Sequence, residues 1–179
     1  MRWAIVRFPG ANCDEDARFA LEKAGIRAEF VWHTERDLRG FDGVFLPGGF
    51  SYGDYLRAGA LAAKSPVMEA VRRFAEEGRY VVGVCNGFQI LTEAGLLPGA
   101  LLANLNLHFT CKEVGVRVER NDLPFTRLYP RGQVLRLPIA HGEGRYQIDP
   151  DQLQALEDNG QVVLRYAANP NGSVGDVAG

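Results

Sequence analysis

The sequence predicts an α/β protein built on a doubly wound, mostly parallel sheet with helices on both faces. Two observations predict it. In the first half of the chain, short β-rich runs alternate with helical stretches, and strand-helix-strand succession gives a parallel sheet. Tyr80–Val84 is apolar without a polar alternation, the pattern of a strand covered on both faces.

The elements follow in order. Trp3–Phe8 reads as a strand that ends at Pro9-Gly10. Asn12 or Asp14 can cap a helix running to about Ala24, which Gly25 stops. Ala28–Trp32 and Gly43–Leu46 read as the next strands, the latter running into Pro47-Gly48-Gly49. Pro66 opens a helix with Val67, Ala70, Val71 and Phe74 at helical spacing, and Gly78 ends it. After the Tyr80–Val84 strand, Asn86–Ala94 reads as a helix closed by Gly95. The second half differs: Val114–Val118 and Val134–Leu137 are strands with no helix between them. Asp149–Asn159 is a helix with Pro150 at its start, and Val162–Tyr166 a strand before a turn at Asn169-Pro-Asn-Gly172. There is no internal repeat and no linker, so residues 1–179 read as one domain.

Composition sets limits. The chain has 179 residues, 46% hydrophobic and 23% charged, which suits one folded core and excludes general disorder. A net charge of −2 argues against a general nucleic-acid binder. Only three of the 20 basic residues are lysines, a bias toward arginine that suits ion pairs and anion contacts. No apolar run approaches the roughly 20 residues of a membrane span, and the N-terminus lacks the pattern of a signal peptide. Three cysteines at irregular spacing suggest neither a disulfide framework nor a metal site. The expectation is a reduced, cytoplasmic protein without a bound metal.

The strongest local signal is Val81-Val-Gly83-Val-Cys85-Asn-Gly87-Phe-Gln-Ile-Leu91. A strand runs into Gly-x-Cys-x-Gly and a helix begins at once, the thiol form of a nucleophile elbow. The tight turn needs small neighbours, and it lifts the side chain clear of the sheet onto a helix N-terminus. The thiolate is the reactive form of a cysteine, and helix N-termini favour it. The Asn86 backbone N–H then points to where an oxyanion would form. The plain alternative for Cys85 is a small core residue.

A second element fits the first. Val44-Phe-Leu-Pro47-Gly48-Gly49-Phe-Ser-Tyr-Gly53-Asp54 follows another strand, and its glycines allow backbone N–H groups to approach a ligand. Gly49 or a neighbour could supply a second oxyanion donor, worth roughly 3–4 kcal/mol in the transition state. A phosphate loop fits less well, because no Gly-Lys-Ser/Thr follows.

These segments carry a resemblance. The elbow with Gln89 and the Pro-Gly-Gly loop resemble the class I, triad-type glutamine amidotransferases, whose fold is flavodoxin-like. Phe8-Pro-Gly-Ala-Asn-Cys-Asp14, Pro47 through Arg57, Cys85-Asn-Gly-Phe-Gln89, Pro138 through Tyr146, and Asn169 through Ser173 are similar, in order, to blocks of one branch. That branch is the glutaminase subunits of phosphoribosylformylglycinamidine synthases.

The resemblance implies that Cys85 attacks the glutamine carboxamide to give a glutamyl thioester, releasing ammonia. The ammonia would aminate formylglycinamide ribonucleotide in de novo purine biosynthesis. It further implies a larger synthetase partner holding ATP and magnesium, a small third subunit, and no cofactor in this chain. Gly48, Gly49, Asn86 and Gln89 would contact glutamine or its oxyanion, and His141 would line the site or its rim. The family carries its catalytic His and Glu in a later His-Pro-Glu segment, which residues 1–179 do not contain. The expectation is therefore a form lacking its C-terminal segment and that catalytic pair.

Taken from the residues alone, His141-Gly-Glu143 offers another assignment. Cys85, His141 and Glu143 would form the triad, with Glu143 orienting the imidazole. Glu143 could equally belong to a loop before the Tyr146 strand. His33 and His108 read as structural or solvated, and Cys13 and Cys111 as structural. Tyr52, Asp54, Tyr55 and Arg57 form a polar-aromatic loop suited to meeting a partner. Two other functions stay open: a stand-alone cysteine amidase, and a non-catalytic flavodoxin-like binding module.

Overall fold

A computed structural model describes residues 1–179. The chain divides into two compact units, Met1–Pro98 and Gly99–Gly179.

The first unit is a parallel α/β layer. Its strands are β1 (Arg2–Arg7), β2 (Arg27–Trp32), β3 (Gly43–Leu46) and β4 (Tyr80–Gly83), in the order β2-β1-β3-β4 with every pairing parallel. Helices α1 (Asp14–Lys23), α2 (Val67–Glu76) and α3 (Asn86–Glu93) complete it. The period-two geometry of β1 explains how both faces are covered. Trp3 and Ile5 face Ala17 and Leu21 of α1, while Ala4 and Val6 join Val67, Val71, Phe74, Ile90 and Leu91 of α2 and α3. Ala4, Ile5 and Val6 are wholly buried, as a strand between two neighbours and two helical layers should be.

Two local expectations change. α1 is capped by Cys13, with no side-chain cap bond, rather than by Asn12 or Asp14. Asp14 pairs instead with Arg7 at the end of β1, and the Arg7 guanidinium lies 3.7 Å from the Phe30 ring centroid. The acidic first turn, Asp14 to Asp16, and Lys23 in the last turn both suit the helix dipole. β4 is not buried on both faces: Tyr80 is exposed and Val81, Val82 and Gly83 are half-buried. Its place at the end of the strand order leaves it with one neighbouring strand, so an apolar run marked sheet membership but not centrality.

The second unit is antiparallel. β6 (Thr110–Val118) pairs with β7 (Val134–His141) and, on its other edge, with β9 (Leu164–Tyr166). β5 (Ala100–Leu102) and β8 (Arg145–Gln147) form a separate two-stranded ladder, and β5 had no sequence signal beyond three apolar residues. α4 (Pro150–Asp158) starts on an Asp149 side chain that accepts the Asp151 N–H at 3.0 Å, as its Asp-Pro opening predicts. No helix in either unit is long and apolar enough to cross a membrane.

Candidate active site

In a parallel sheet, ligands bind beyond the carboxyl ends of the strands, where the strand order reverses direction. Here that point lies between β1 and β3. The segments leaving β1, β3 and β4 carry Asn12-Cys13, Gly48-Gly49 and Cys85-Asn86, so the residues singled out in the first unit come from this one end of the sheet.

Cys85 is the residue before α3 and has φ 54° and ψ −112°. A non-glycine side chain in the left-handed region stores on the order of 1–3 kcal/mol of strain, and such strain concentrates at functional sites. The surroundings enforce it. A Cβ on Gly87 would lie 2.0 Å from the Leu46 carbonyl oxygen, and one on Gly83 would lie 2.6 Å from the Gly87 carbonyl oxygen. The helix thus packs directly on the end of β3, and Val84 N–H donates to Leu46 O at 3.1 Å. The Cys85 carbonyl accepts from Phe88 and Gln89 N–H, which locks the first turn, while Cys85 itself is exposed. The Asn86 N–H belongs to the first helical turn, where no intrahelical acceptor is available.

The loop after β3 is equally constrained. A Cβ on Gly49, whose φ is +121°, would meet Asn12 Oδ1 at 2.4 Å, so only glycine passes there. Tyr52, Asp54 and Leu56 also have positive φ, which makes this loop a run of strained backbone. Hydrogen bonds hold it. Tyr52 N–H donates to Pro9 O at 2.6 Å, and Ser51 N–H donates to Asn86 Oδ1 at 3.1 Å. Asn86 Nδ2 donates to Gln89 Oε1 at 2.9 Å and to Asp54 Oδ1 at 3.3 Å. The Tyr52 hydroxyl bonds to His33 Nδ1 at 2.9 Å and Ser65 Oγ at 3.0 Å, so His33 is a loop anchor. Arg57 clamps Glu93 of α3 through two bonds of 2.6 Å.

Gly48, Gly49, Cys85, Asn86 and Gln89 therefore share the first unit. The Asn86 and Gln89 side chains, 1% and 8% exposed as residues, are committed to each other and to the loop. Their amides scaffold the site, and Asn86 reaches the open space beside Cys85 through its backbone.

Cys13, read as structural, lies beside the elbow. A methyl placed on Gly48 would sit 3.4 Å from Cys85 Cβ and 3.7 Å from both Cβ and Sγ of Cys13. Burial, with the charges of Asp16, Cys85 and Asp14, pushes the Cys13 thiol up. Cys13 lies in the segment leaving β1, beside the point where the strand order reverses. Cys111 is exposed on β6 of the second unit.

His141 belongs to the second unit, at the end of β7. Asn104 Oδ1 lies 3.1 Å from its Nδ1 and also accepts the Gly144 N–H, while Asn104 Nδ2 donates to the His141 and His108 carbonyls. Asn171 Nδ2 stands 3.5 Å from His141 Nε2 and donates to Gly144 O at 2.8 Å. This pattern assigns the proton to Nδ1 and leaves Nε2 accepting. Burial lowers the His141 pKa, in keeping with a neutral ring. Asparagines face both ring nitrogens, where the alternative triad required Glu143 on one and the thiol on the other. Asn171, 3% exposed, belongs to the Asn169–Ser173 block noted in the sequence, whereas Asn104, 0% exposed, was missed because an isolated asparagine carries no spacing signal. No group of three or more His, Cys, Asp or Glu is placed to hold a metal ion.

Comparison with known proteins adds the family evidence. The model of the CobB/CobQ-like glutamine amidotransferase domain matches residues 1–179. The chain is 89% identical over 186 aligned residues to a phosphoribosylformylglycinamidine synthase subunit PurQ of Thermus thermophilus, covering all of this chain and 82% of that protein. It is 59% identical to the protein of that name from a Synechococcus strain, covering all of this chain and 80% of the relative. Among solved structures it is similar to a chain of PurLQS from Thermotoga maritima, at 46% identity and a TM-score of 0.89, over 99% of this chain and 79% of that one.

Proposed function

Because the chain belongs to the CobB/CobQ-like glutamine amidotransferases, and within them to the phosphoribosylformylglycinamidine synthase subunit PurQ family, we propose that Cys85 hydrolyses glutamine and supplies the ammonia that aminates formylglycinamide ribonucleotide. One observation carries the assignment of the nucleophile: Cys85 is exposed, strained at φ 54°, and set at the start of α3 by glycines that nothing larger can replace.

The chemistry follows from the elbow. The Cys85 sulfur adds to the carboxamide carbon, and the charge that develops on oxygen faces the Asn86 N–H and the Gly48-Gly49 backbone. Fixed amide donors at that position stabilise the tetrahedral intermediate without reorganising. Collapse breaks the C–N bond, the proton given up by the Cys85 thiol ends on the departing nitrogen to give ammonia, and a glutamyl thioester remains for water to hydrolyse to glutamate. Gln89 acts by holding Asn86 and the strained loop in place. His141 is unsuited to the part of general base, since both its nitrogens already face asparagine amides. In this reading it braces the second unit.

The partner is a synthetase subunit that holds ATP and magnesium and consumes the ammonia, with a small third subunit in the same assembly. The similar chain from Thermotoga maritima comes from a complex, PurLQS, which supports a partner subunit. The exposed Tyr55 and Leu56, at 74% and 88%, extend from the loop that Asn86 ties to the elbow, and this is where the synthetase is proposed to press.

The test is amination by the reconstituted complex with two nitrogen sources. Cys85→Ala should abolish glutamine-dependent amination and spare the ammonia-dependent reaction. Loss of both, or retention of both, would contradict the proposal. A stand-alone amidase would instead hydrolyse glutamine equally well without the synthetase.

A further inference from the structure

Cys13 and Cys85 approach the same point from different strands. The segment after β1 carries Cys13 across the end of β3, and the elbow after β4 carries Cys85 to it. Gly48 neighbours both. A Cβ on Gly48 would touch Cys85 Cβ at 3.4 Å and Cys13 Cβ and Sγ at 3.7 Å, which places the two cysteine Cβ atoms within about 7 Å of each other, against roughly 3.8 Å in a closed disulfide. Glycine leaves that space empty. Cys13 is half-buried and Cys85 exposed, so Cys85 is the more accessible of the two thiols.

We propose that Cys13 and Cys85 are a reversible oxidation site, in which peroxide oxidises Cys85 and Cys13 resolves it as a disulfide. The inference rests on Cys85 being the reactive thiol proposed above. In the first step the Cys85 thiolate attacks one peroxide oxygen. An S–O bond forms, the O–O bond breaks, and hydroxide leaves to be protonated as water. In the second step the Cys13 sulfur attacks the Cys85 sulfenic sulfur. The S–S bond forms, the S–O bond breaks, and the departing hydroxide takes the Cys13 proton as a second water. Two thiols lose two electrons and one peroxide is reduced to two waters. A thioester cannot form while the sulfur is so engaged, and a thiol reductant restores it. Without a resolving thiol, the sulfenic acid goes on to the sulfinic acid, which thiols do not reverse. Burial raises the Cys13 pKa, which suits the resolving rather than the peroxide-attacking part.

The experiment treats the full chain with hydrogen peroxide near stoichiometry, then maps peptides by mass spectrometry without reduction. The wild type should lose two hydrogens and yield a Cys13–Cys85 cross-linked peptide that dithiothreitol cleaves. Cys13→Ser should instead accumulate two oxygens on Cys85, and dithiothreitol should recover about tenfold less of the Cys85 thiol than in the wild type. Cys111 on β6 is the internal control. Sulfinic acid on Cys85 with Cys13 still free in the wild type, or a cross-link to Cys111, would overturn the inference. A Cys13–Cys85 cross-link, together with glutamine-dependent amination that persists in Cys85→Ala of the reconstituted complex, would uphold this site while refuting the function proposed above.

Discussion

Asn86 Oδ1 accepts the Ser51 backbone N–H at 3.1 Å, and this bond ties the first residue after the nucleophile to the strained loop after β3. It is buried, and it joins the two segments from which both proposed oxyanion donors come.

Replacing Asn86 by Ala should cost more than a surface change. It strands the Ser51 N–H and releases Gln89 Oε1 and Asp54, at about 1–3 kcal/mol for a buried unsatisfied donor. Urea unfolding measures the loss. Glutamine-dependent turnover should fall further than stability explains, because the loop no longer holds its register with α3.

The elbow glycines give a graded prediction. Gly87→Ala places a methyl 2.0 Å from Leu46 O, so the helix must leave β3, and the variant should lose more than about 3 kcal/mol or fail to fold. Gly25→Ala meets no neighbour within 4 Å, and only its φ of +75° opposes it. It should cost on the order of 1 kcal/mol. Thermal unfolding of the two variants would rank them.

Much of this site was legible in the sequence, and the reasons are local. Cys85 stood out because a tight strand-to-helix turn needs Gly83 and Gly87, and that requirement leaves a spaced motif. Gly43–Leu46 and the α2 face of Val67, Ala70, Val71 and Phe74 were legible because strand length and helical period are written in neighbouring residues. Cys13 was not, since its role comes from the order β1-β3-β4, which no local pattern encodes. The edge position of β4 was hidden for the same reason. Asn104 was invisible because it binds backbone and a histidine brought to it from a segment far away in sequence.

Acid should weaken the fold through His141. Burial depresses its folded-state pKa below the unfolded value near 6.5, so the two states bind protons equally above that pH. As pH falls below about 6.5, the unfolded chain takes up the proton first and stability declines until the folded pKa is passed. His141→Gln should show a flatter urea midpoint between pH 8 and pH 5.5. An unchanged slope would mean that other groups carry the dependence.

The partner-facing loop gives an assembly prediction. Arg57 is held in a bidentate pair with Glu93, so replacing it perturbs α3 as well as the surface. Tyr55→Ser with Leu56→Ser alters only strongly exposed side chains. That pair should weaken assembly with the synthetase on a sizing column while leaving the unfolding temperature within a few degrees.

The central claim is that Cys85 forms a covalent glutamyl intermediate. Acid-quenching the assembled complex during turnover and mapping the chain by mass spectrometry tests it most directly. One glutamyl group on the Cys85 peptide, absent in Cys85→Ala and absent from the Cys13 and Cys111 peptides, is the predicted result. A glutamyl group on Cys13 or Cys111, or turnover that persists in Cys85→Ala, would contradict it.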